Sequence, residues 1–127
     1  MNKYGNAAVR AVKFYTNGQA TTPQDAWEMA TIAIFRDGTA SQTKGCPKGA
    51  FLGLCEVGLV KGIPGGIYTN STKNKSYAVR AISILKHDPS YGSNIEQLWL
   101  AAIGGVEKKH NSQMNVVLAL WNNGLIA

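Results

Sequence analysis

Apolar residues recur every three to four positions along most of the 127-residue chain, which is the spacing of a helix face. Glycine, proline and asparagine divide this pattern into six segments. The first is predicted from about Lys3 to Thr16 and ends at Asn17-Gly18. The second opens with Thr22-Pro23-Gln24-Asp25, where a threonine N-cap precedes a proline at the first helical position. It ends near Asp37-Gly38, and residues 39–45 form a polar loop.

The third segment lies within Lys44–Ile63, which holds both cysteines and the densest run of helix punctuation. Pro47 suits the first turn of a helix, and Gly58 is predicted to take the left-handed conformation just past its end. Gly49 and Gly53 leave one side of the helix nearly bare, and each interior glycine costs about 1 kcal/mol against alanine. Such a helix indicates close packing against a neighbour, or a ligand that approaches its backbone.

Three further helices follow in the second half of the chain. The polar residues 70–76 lead into the fourth helix, which Asp88-Pro89 closes. Ser93 and Glu96 have the spacing of a capping box and are predicted to open the fifth helix. The sixth begins near Asn111-Ser112.

Three matched segments, in the same order, predict an internal repeat. Ala8–Val12 matches Ala78–Ile82, Trp27 with Ala30 resembles Trp99 with Ala102, and Phe51–Val60 aligns with Val117–Ile126. We therefore favour two pseudo-repeated three-helix units, at about residues 3–63 and 73–127, over the alternative that short alanine-rich helical segments recur by chance.

The predicted fold class is all-α, a compact six-helix single domain. Residues 61–69, centred on Pro-Gly-Gly, predict either a short hairpin or an irregular loop. The two predicted units differ most at the start of their third helices, which carry Gly-Cys-Pro-Lys-Gly and Asn-Ser-Gln-Met-Asn. This difference favours a specialised site at the third helix of the first unit.

The net charge of +6 is concentrated in one part of the chain. Between Gly38 and His87 the only acid is Glu56, whereas the rest of the chain holds six cations and six acids. The seven central cations are Lys44, Lys48, Lys61, Lys73, Lys75, Arg80 and Lys86. Such a field attracts nucleic acid, phosphorylated ligands or acidic proteins. All but Lys86 are taken as candidate anion- or nucleic-acid-binding residues; the plainer alternative is a solvated lysine-rich surface.

Cys46 is the one candidate for a reactive group. It is predicted just before a helix N-terminus, between Lys44 and Lys48, and both the helix dipole and these cations favour a thiolate. The alternatives are a cysteine chosen for its small volume and an anion site at the same helix start. Cys55 is predicted to lie in the core. A helix would hold the two cysteines too far apart for a disulfide.

The sequence offers no support for metal or carboxylate chemistry. The two histidines and two cysteines do not have metal-ligand spacing, and paired carboxylates are absent. We predict no catalytic residues and no cofactor, so that an enzyme is the less favoured class. The chain shows no signal-peptide pattern and no apolar run near the ~20 residues needed to span a bilayer, which predicts a cytoplasmic protein without a membrane partner.

Two resemblances bear on this picture. Lys44–Ile63, together with His110–Trp121, resembles an uncharacterised family of small bacterial proteins known only as a domain of unknown function. This resemblance covers most of the chain but offers no catalytic residues that could be transferred to it. Locally, the second and third helices followed by Gly58–Tyr68 resemble a winged helix-turn-helix, which implies a hairpin wing. The third helix departs from that pattern, because Lys48 and Glu56 are its only charged residues and it offers no arginine, asparagine or glutamine to read base edges.

Three hypotheses on function follow. The first is a small non-enzymatic all-helical binding or interaction module with a protein partner or self-association, which predicts an exposed apolar patch near Trp121 and Leu125-Ile126. The alternative is a nucleic-acid-binding module that uses the basic central segment on phosphates. The second alternative is a thiol-based enzyme or redox sensor centred on Cys46.

Overall fold

The computed structural model describes residues 2–127, and this part of the chain contains six α-helices and no β-strand. The helices are α1 (Lys3–Thr16), α2 (Pro23–Phe35), α3 (Gly45–Glu56), α4 (Thr72–His87), α5 (Ile95–Ile103) and α6 (Gln113–Asn122). A 3₁₀ turn at Pro89–Ser93 joins α4 to α5. The all-α, six-helix prediction is confirmed. Within these residues, no helix has the length and apolar content that a membrane span requires.

The helix starts show how closely local sequence signals fix the elements. Thr22 Oγ1 accepts a hydrogen bond from Asp25 N at 3.0 Å, so α2 is capped as predicted. The predicted capping box of α5 is wrong by one residue. Asn94 is the N-cap, and its Oδ1 accepts from Gln97 N at 3.1 Å. Ser93 instead ends the preceding 3₁₀ turn.

The bare side of α3 packs against the start of α4. A Cβ atom added to Gly49 would lie 2.7 Å from Ser71 Oγ, and one added to Gly53 would lie 2.6 Å from Lys75 Cα. These distances are too short for any side chain, which confirms that the glycines serve close helix packing. The helix α4 begins at Thr72, inside the polar segment 70–76 that was predicted to lead into it.

The core is formed where α1 packs on α2, α4 on α5, α3 on α4 and α6 on α1, with α3 and α6 in contact. Aromatic pairs mark both halves. Trp27 stacks on Phe51 with ring centroids 5.2 Å apart. Tyr77 meets the edge of Trp99 at 5.4 Å. All four side chains are buried, so the large aromatic residues hold the helices of each half to their neighbours.

The segments that follow α3 and α6 pair with each other. Lys61 N donates to Leu125 O at 2.8 Å, and Ala127 N donates to Leu59 O at 2.9 Å. Lys61 and Ala127 are 66 residues apart, and so are Leu59 and Leu125. Each bond is therefore the counterpart of the other, as expected for two units related by a local two-fold axis. This symmetry supports our proposal that residues 3–63 and 73–127 are pseudo-repeats.

Residues 61–69 form an irregular loop and not a hairpin. The loop is tied to the end of α3 through Glu56, whose carbonyl accepts from Gly66 N at 3.1 Å. Its Oε1 accepts from Tyr68 N at 2.8 Å and from Thr69 N at 3.2 Å. In a winged helix-turn-helix this segment would form the wing, but here the bonds to Glu56 hold it against the rest of the molecule. The winged helix-turn-helix resemblance is not confirmed.

Candidate functional site

A cleft opens between the start of α3 and the loop that joins α5 to α6. Its volume is about 400 Å³. Its walls are formed by Cys46, Glu107, Lys108, Lys109, His110 and Asn111. The cleft therefore combines a thiol and lysines from two parts of the chain that are far apart in sequence.

The lysine-bearing wall is fixed by α5. Gly104 ends α5 in the left-handed conformation at φ 62°, and Gly105 continues the turn at φ 86°. Trp99 Nε1 then donates to Lys108 O at 3.0 Å. The Trp99 ring also packs against the His110 ring, with centroids 5.1 Å apart. The backbone of Lys108 and the ring of His110 are thus held by a buried tryptophan.

His110 caps α6 and is not free to act as a base. Its Nε2 accepts a hydrogen bond from Met114 N at 3.1 Å. Burial lowers the pKa of His110 below its ordinary value; the charge of Glu96 partly offsets this, and that of Lys44 adds to it. The imidazole is therefore neutral near pH 7, with its proton on Nδ1 because Nε2 is the acceptor.

The other wall is the N-terminus of α3. Lys44 is its N-cap residue, and no side chain within residues 2–127 caps the helix. The N–H groups of Gly45 and Cys46 consequently remain available to a ligand. Lys44 Nζ lies 5.1 Å from the centroid of the Tyr4 ring. Tyr4 OH in turn donates to Ser41 O at 2.9 Å, so the approach to the helix start is anchored by α1.

The charge of the cleft favours an anion. Lys108 and Lys109 line it together with the acid Glu107, and beside it the charges of Lys44 and Glu96 both act on His110. The N-terminal end of a helix dipole adds a partial positive charge at Cys46. A phosphate or carboxylate group placed there would meet both cationic side chains and free backbone N–H groups.

Comparison with known proteins places the whole chain in one family, since a family model matches residues 1–127. The chain belongs to DUF6979, a family of unknown function. Searches among curated proteins and among solved structures found no match. Membership of DUF6979 confirms the resemblance to a domain of unknown function, and the cleft is accordingly argued from its own chemistry.

In this DUF6979 protein, two of the predicted anion-binding cations already have partners within the molecule. Lys75 Nζ forms a hydrogen-bonded ion pair with Glu56. Arg80 Nη1 donates to Ala102 O at 2.8 Å, near the C-terminal end of α5, where a cation is favoured. Lys61 and Lys73 are exposed, and Lys48 is half-buried in the first turns of α3. Phosphate binding by these five residues stays a prediction.

The ion pair of Lys75 also accounts for the low pKa of Glu56. The hydrogen bond from Lys75, followed by those from the backbone of Tyr68 and Thr69, lowers the pKa of Glu56 to about 2. Glu56 is thus a structural residue, which holds the loop after α3 and the first turns of α4 together.

The two cysteines have different surroundings. Cys55 is buried in the core, and burial raises the pKa of its thiol far above the ordinary value. Cys46 is partly exposed in the cleft, and both are free thiols. Among the described residues, no group of three or more histidine, cysteine or acidic side chains could hold a metal ion.

Sequence reasoning missed Lys108, Lys109 and His110. These residues lie outside the basic central segment, in the part of the chain where six cations balance six acids. The charge distribution along the sequence therefore does not single them out. The available signal was the match between the two third helices. It aligns the segment before α6 with the segment before α3, where Lys44 and Cys46 had been singled out.

Proposed function

We propose that this protein is a non-enzymatic binding module, and that its ligand is a nucleic acid held by phosphate contacts at the cleft beside α3. The observation that carries the proposal is the convergence of Lys108 and Lys109 with the uncapped N-terminus of α3. The net charge of +6 supports it, because such a field steers polyanions toward the protein.

The contacts are of the kind that position a phosphate backbone without reading bases. Ammonium groups and backbone N–H groups bind phosphate oxygens regardless of sequence. The cleft side chains include Asn111 but no arginine, and arginine supplies the commonest specific base contact. We therefore expect weak sequence preference and a strong dependence of affinity on salt.

Binding is tested by the fluorescence anisotropy of a labelled random-sequence DNA duplex at about 50 and 200 mM salt. With three phosphate contacts, from Lys44, Lys108 and Lys109, this change of salt weakens binding roughly 40-fold. The double variant Lys108→Glu/Lys109→Glu should bind at least ~10-fold more weakly and show a shallower salt dependence.

Matched controls separate the cleft from net charge. Arg10→Glu/Lys13→Glu changes the charge by the same amount on an exposed part of α1 and should have a much smaller effect. Lys73→Glu tests, by the same measurement of DNA affinity, whether this exposed cation of α4 binds phosphate as the sequence predicted. If the α1 variant loses as much affinity as the cleft variant, or if the unaltered protein does not bind at the lower salt, the proposal is wrong.

A chemical footprint gives independent evidence on the location. Cys46 is the more accessible thiol and Cys55 is buried, so iodoacetamide should alkylate Cys46 first. Bound duplex should slow that alkylation, as measured by intact-protein mass spectrometry. If saturating duplex leaves the rate of Cys46 alkylation unchanged, the ligand binds elsewhere.

A further inference from the structure

Gln113 is completely buried in the first turn of α6, although its side chain is polar. It belongs to the Asn-Ser-Gln-Met-Asn segment by which the third helix of the second unit differs from α3. Its Oε1 accepts a hydrogen bond from Asn111 N at 2.7 Å, and its Nε2 donates to Asn74 Oδ1 at 3.0 Å. A buried amide that is hydrogen-bonded at both ends holds its partners in fixed positions. Gln113 thus joins the loop before α6 to the first turn of α4.

The orientation of both amide groups follows from the backbone of Asn111. A backbone N–H can only donate, so the atom of Gln113 that faces it is the oxygen. The nitrogen of Gln113 then faces Asn74, whose oxygen accepts. The nitrogen of Asn74 is left to donate to Ser71 Oγ, at 2.8 Å. Reversing either amide would set two donors against each other, so this arrangement of bonds is the one that the backbone allows.

Asn74 also touches the helix that forms the other wall of the cleft. It packs on α3 at Gly49, where an added Cβ atom would lie 3.0 Å from Asn74 Cβ and 2.7 Å from Ser71 Oγ. Gly49 lies one turn after Gly45, the first residue of α3. Asn74 therefore lies between the first turns of α3 and the glutamine that holds the opposite wall.

Two further bonds hold the lysine-bearing wall, but they lead to other helices. Trp99 ties Lys108 to α5, and His110 caps α6. The bond from Gln113 leads instead to Asn74 on α4, and α4 packs against α3 at the glycine crossing. This bond thus connects the two walls of the cleft to each other.

We propose that Gln113 and Asn74 are positioning residues, which together fix the separation between the two walls of the cleft. One wall carries Lys108 and Lys109, and the other carries the free N–H groups at the start of α3. A phosphate backbone contacts both walls at once only when buried bonds of this kind hold the contacting groups at the right distance. This role rests on the proposed function, because it concerns the geometry of phosphate binding.

The first test measures how the affinity for duplex DNA depends on salt in the variant Gln113→Met. This change keeps the length of the side chain, removes both hydrogen bonds and alters no charge. With the walls no longer held, we expect the loss of one phosphate contact, which lowers the salt slope by about 0.9 and weakens binding roughly tenfold at about 50 mM salt. A loss of folded protein alone would lower the active concentration and leave the slope unchanged.

The control for stability is Thr22→Ala, which removes the N-cap of α2. The start of α2 lies beside the loop after α3, since Gln24 Nε2 donates to Tyr68 O at 3.3 Å. It is therefore at the end of α3 opposite to the cleft. Thr22→Ala should leave both the affinity of the folded protein and the salt slope unchanged.

The two amides should act as a unit. Asn74→Ala removes the partner of Gln113 and retains the Cβ atom that packs at Gly49. We expect it to weaken binding about as much as Gln113→Met, and the double variant to stay within about twofold of either single variant. Independent effects would multiply instead, to roughly 100-fold.

Hydrogen exchange tests the same connection without DNA. In Asn74→Ala the amide of Asn111 keeps its acceptor, because Gln113 is still present. If Asn74 anchors that glutamine, the Asn111 amide should nevertheless exchange roughly fivefold faster, as for the loss of one hydrogen bond. Thr22→Ala should leave the exchange rate of Asn111 unchanged.

Two results would overturn the positioning role. One is an unchanged exchange rate of Asn111 in Asn74→Ala. The other is an unchanged salt slope in Gln113→Met or, where that variant does not fold, in Asn74→Ala, whose altered residue is only half-buried. If the unaltered protein does not bind duplex at all, the nucleic-acid proposal fails, and the exchange rate of Asn111 still decides whether Asn74 holds the wall through Gln113.

Discussion

The third helices of the two halves occupy matched places and make different contacts. In α3 the positions that face α4 are Gly49 and Gly53. The residues 66 positions later, on α6, are Asn115 and Ala119. Since glycine has no Cβ, α4 can approach α3 more closely than two helices with side chains at the crossing can approach each other. In the first half, glycines of low helix propensity therefore allow a closer contact between two helices.

The starts of the same two helices differ as well. The start of α6 is closed by His110, which accepts from Met114 N, and by Gln113 Oε1, which accepts from Asn111 N at 2.7 Å. At the start of α3 the N-cap residue Lys44 makes no capping bond, and no other side chain within residues 2–127 accepts a hydrogen bond from Gly45 N or Cys46 N. An uncapped helix start beside lysines costs stability and leaves N–H groups free for an anion. The comparison thus points to α3 as the specialised helix of the pair.

The largest expected effect comes from filling the tight crossing. Gly53→Ala places a Cβ 2.6 Å from the Lys75 backbone, and the resulting strain exceeds the gain of about 1 kcal/mol in helix propensity. We expect the free energy of unfolding to fall by about 2 kcal/mol in urea titrations. The matched change Ala119→Gly should cost only about 1 kcal/mol. A stabilised Gly53→Ala protein would show that the crossing is not tight.

The two equivalent tryptophans should respond differently to removal of the indole N–H. Trp99 Nε1 donates to Lys108 O, whereas the buried Trp27 Nε1 has no partner. Trp99→Phe should therefore lower the free energy of unfolding by about 1 kcal/mol more than Trp27→Phe. It should also weaken DNA binding, because Lys108 loses its anchor. Equal losses of stability would show that this bond does not hold the cleft wall.

Acid should loosen the first half through Glu56. Its pKa is lowered from an ordinary 4.5 to about 2, so the stabilisation that it provides is complete above pH 4.5 and is lost as the pH falls toward 2. Urea titrations from pH 6 to pH 2.5 should show this loss, and Glu56→Gln should flatten the slope. The second half has Asn122 at the equivalent position, and Asn122→Asp should leave the acid slope nearly unchanged. A slope that survives in Glu56→Gln would contradict the assignment.

The smallest effect should come from the cap of α6. Because the pKa of His110 is lowered in the folded protein, stability should be constant above about pH 6.5. It should fall as the pH drops below that value, since the unfolded chain then binds the proton more readily. His110→Asn should remove this dependence between pH 8 and pH 5.5. A slope that persists in this variant would assign the dependence to another group.

The sequence predicts the helices well because their signals are local. Proline at the start of α2 and glycine just past the end of α3 act within one turn of the chain, and both predictions hold. The cap of α5 was misplaced because Ser93 and Asn94 are both good N-cap residues. Local preference does not distinguish the two residues. The 3₁₀ turn at Pro89–Ser93 includes Ser93, so that Asn94 becomes the N-cap of α5.

The cleft was only half predictable, for a different reason. Cys46 and Lys44 belong to the stretch that local rules single out, but Lys108 and His110 reach them through long-range packing. Trp99 holds Lys108 through one hydrogen bond across nine residues. The sequence also predicted an exposed apolar patch at Trp121 and Leu125-Ile126. In the structure these residues are partly buried against the core, whereas the apolar residue Val57 is exposed. This prediction also failed because burial depends on long-range packing.

The most direct test of the cleft is a titration of the ¹⁵N-labelled protein with a DNA duplex, followed by amide chemical shifts. We predict the largest changes at Gly45, Cys46 and residues 107–111, with little change at Arg10 and Lys13 on α1. The shifts at the cleft should disappear in Lys108→Glu/Lys109→Glu. Shifts confined to other surfaces, or none at saturating duplex in low salt, would contradict a nucleic-acid site at the start of α3.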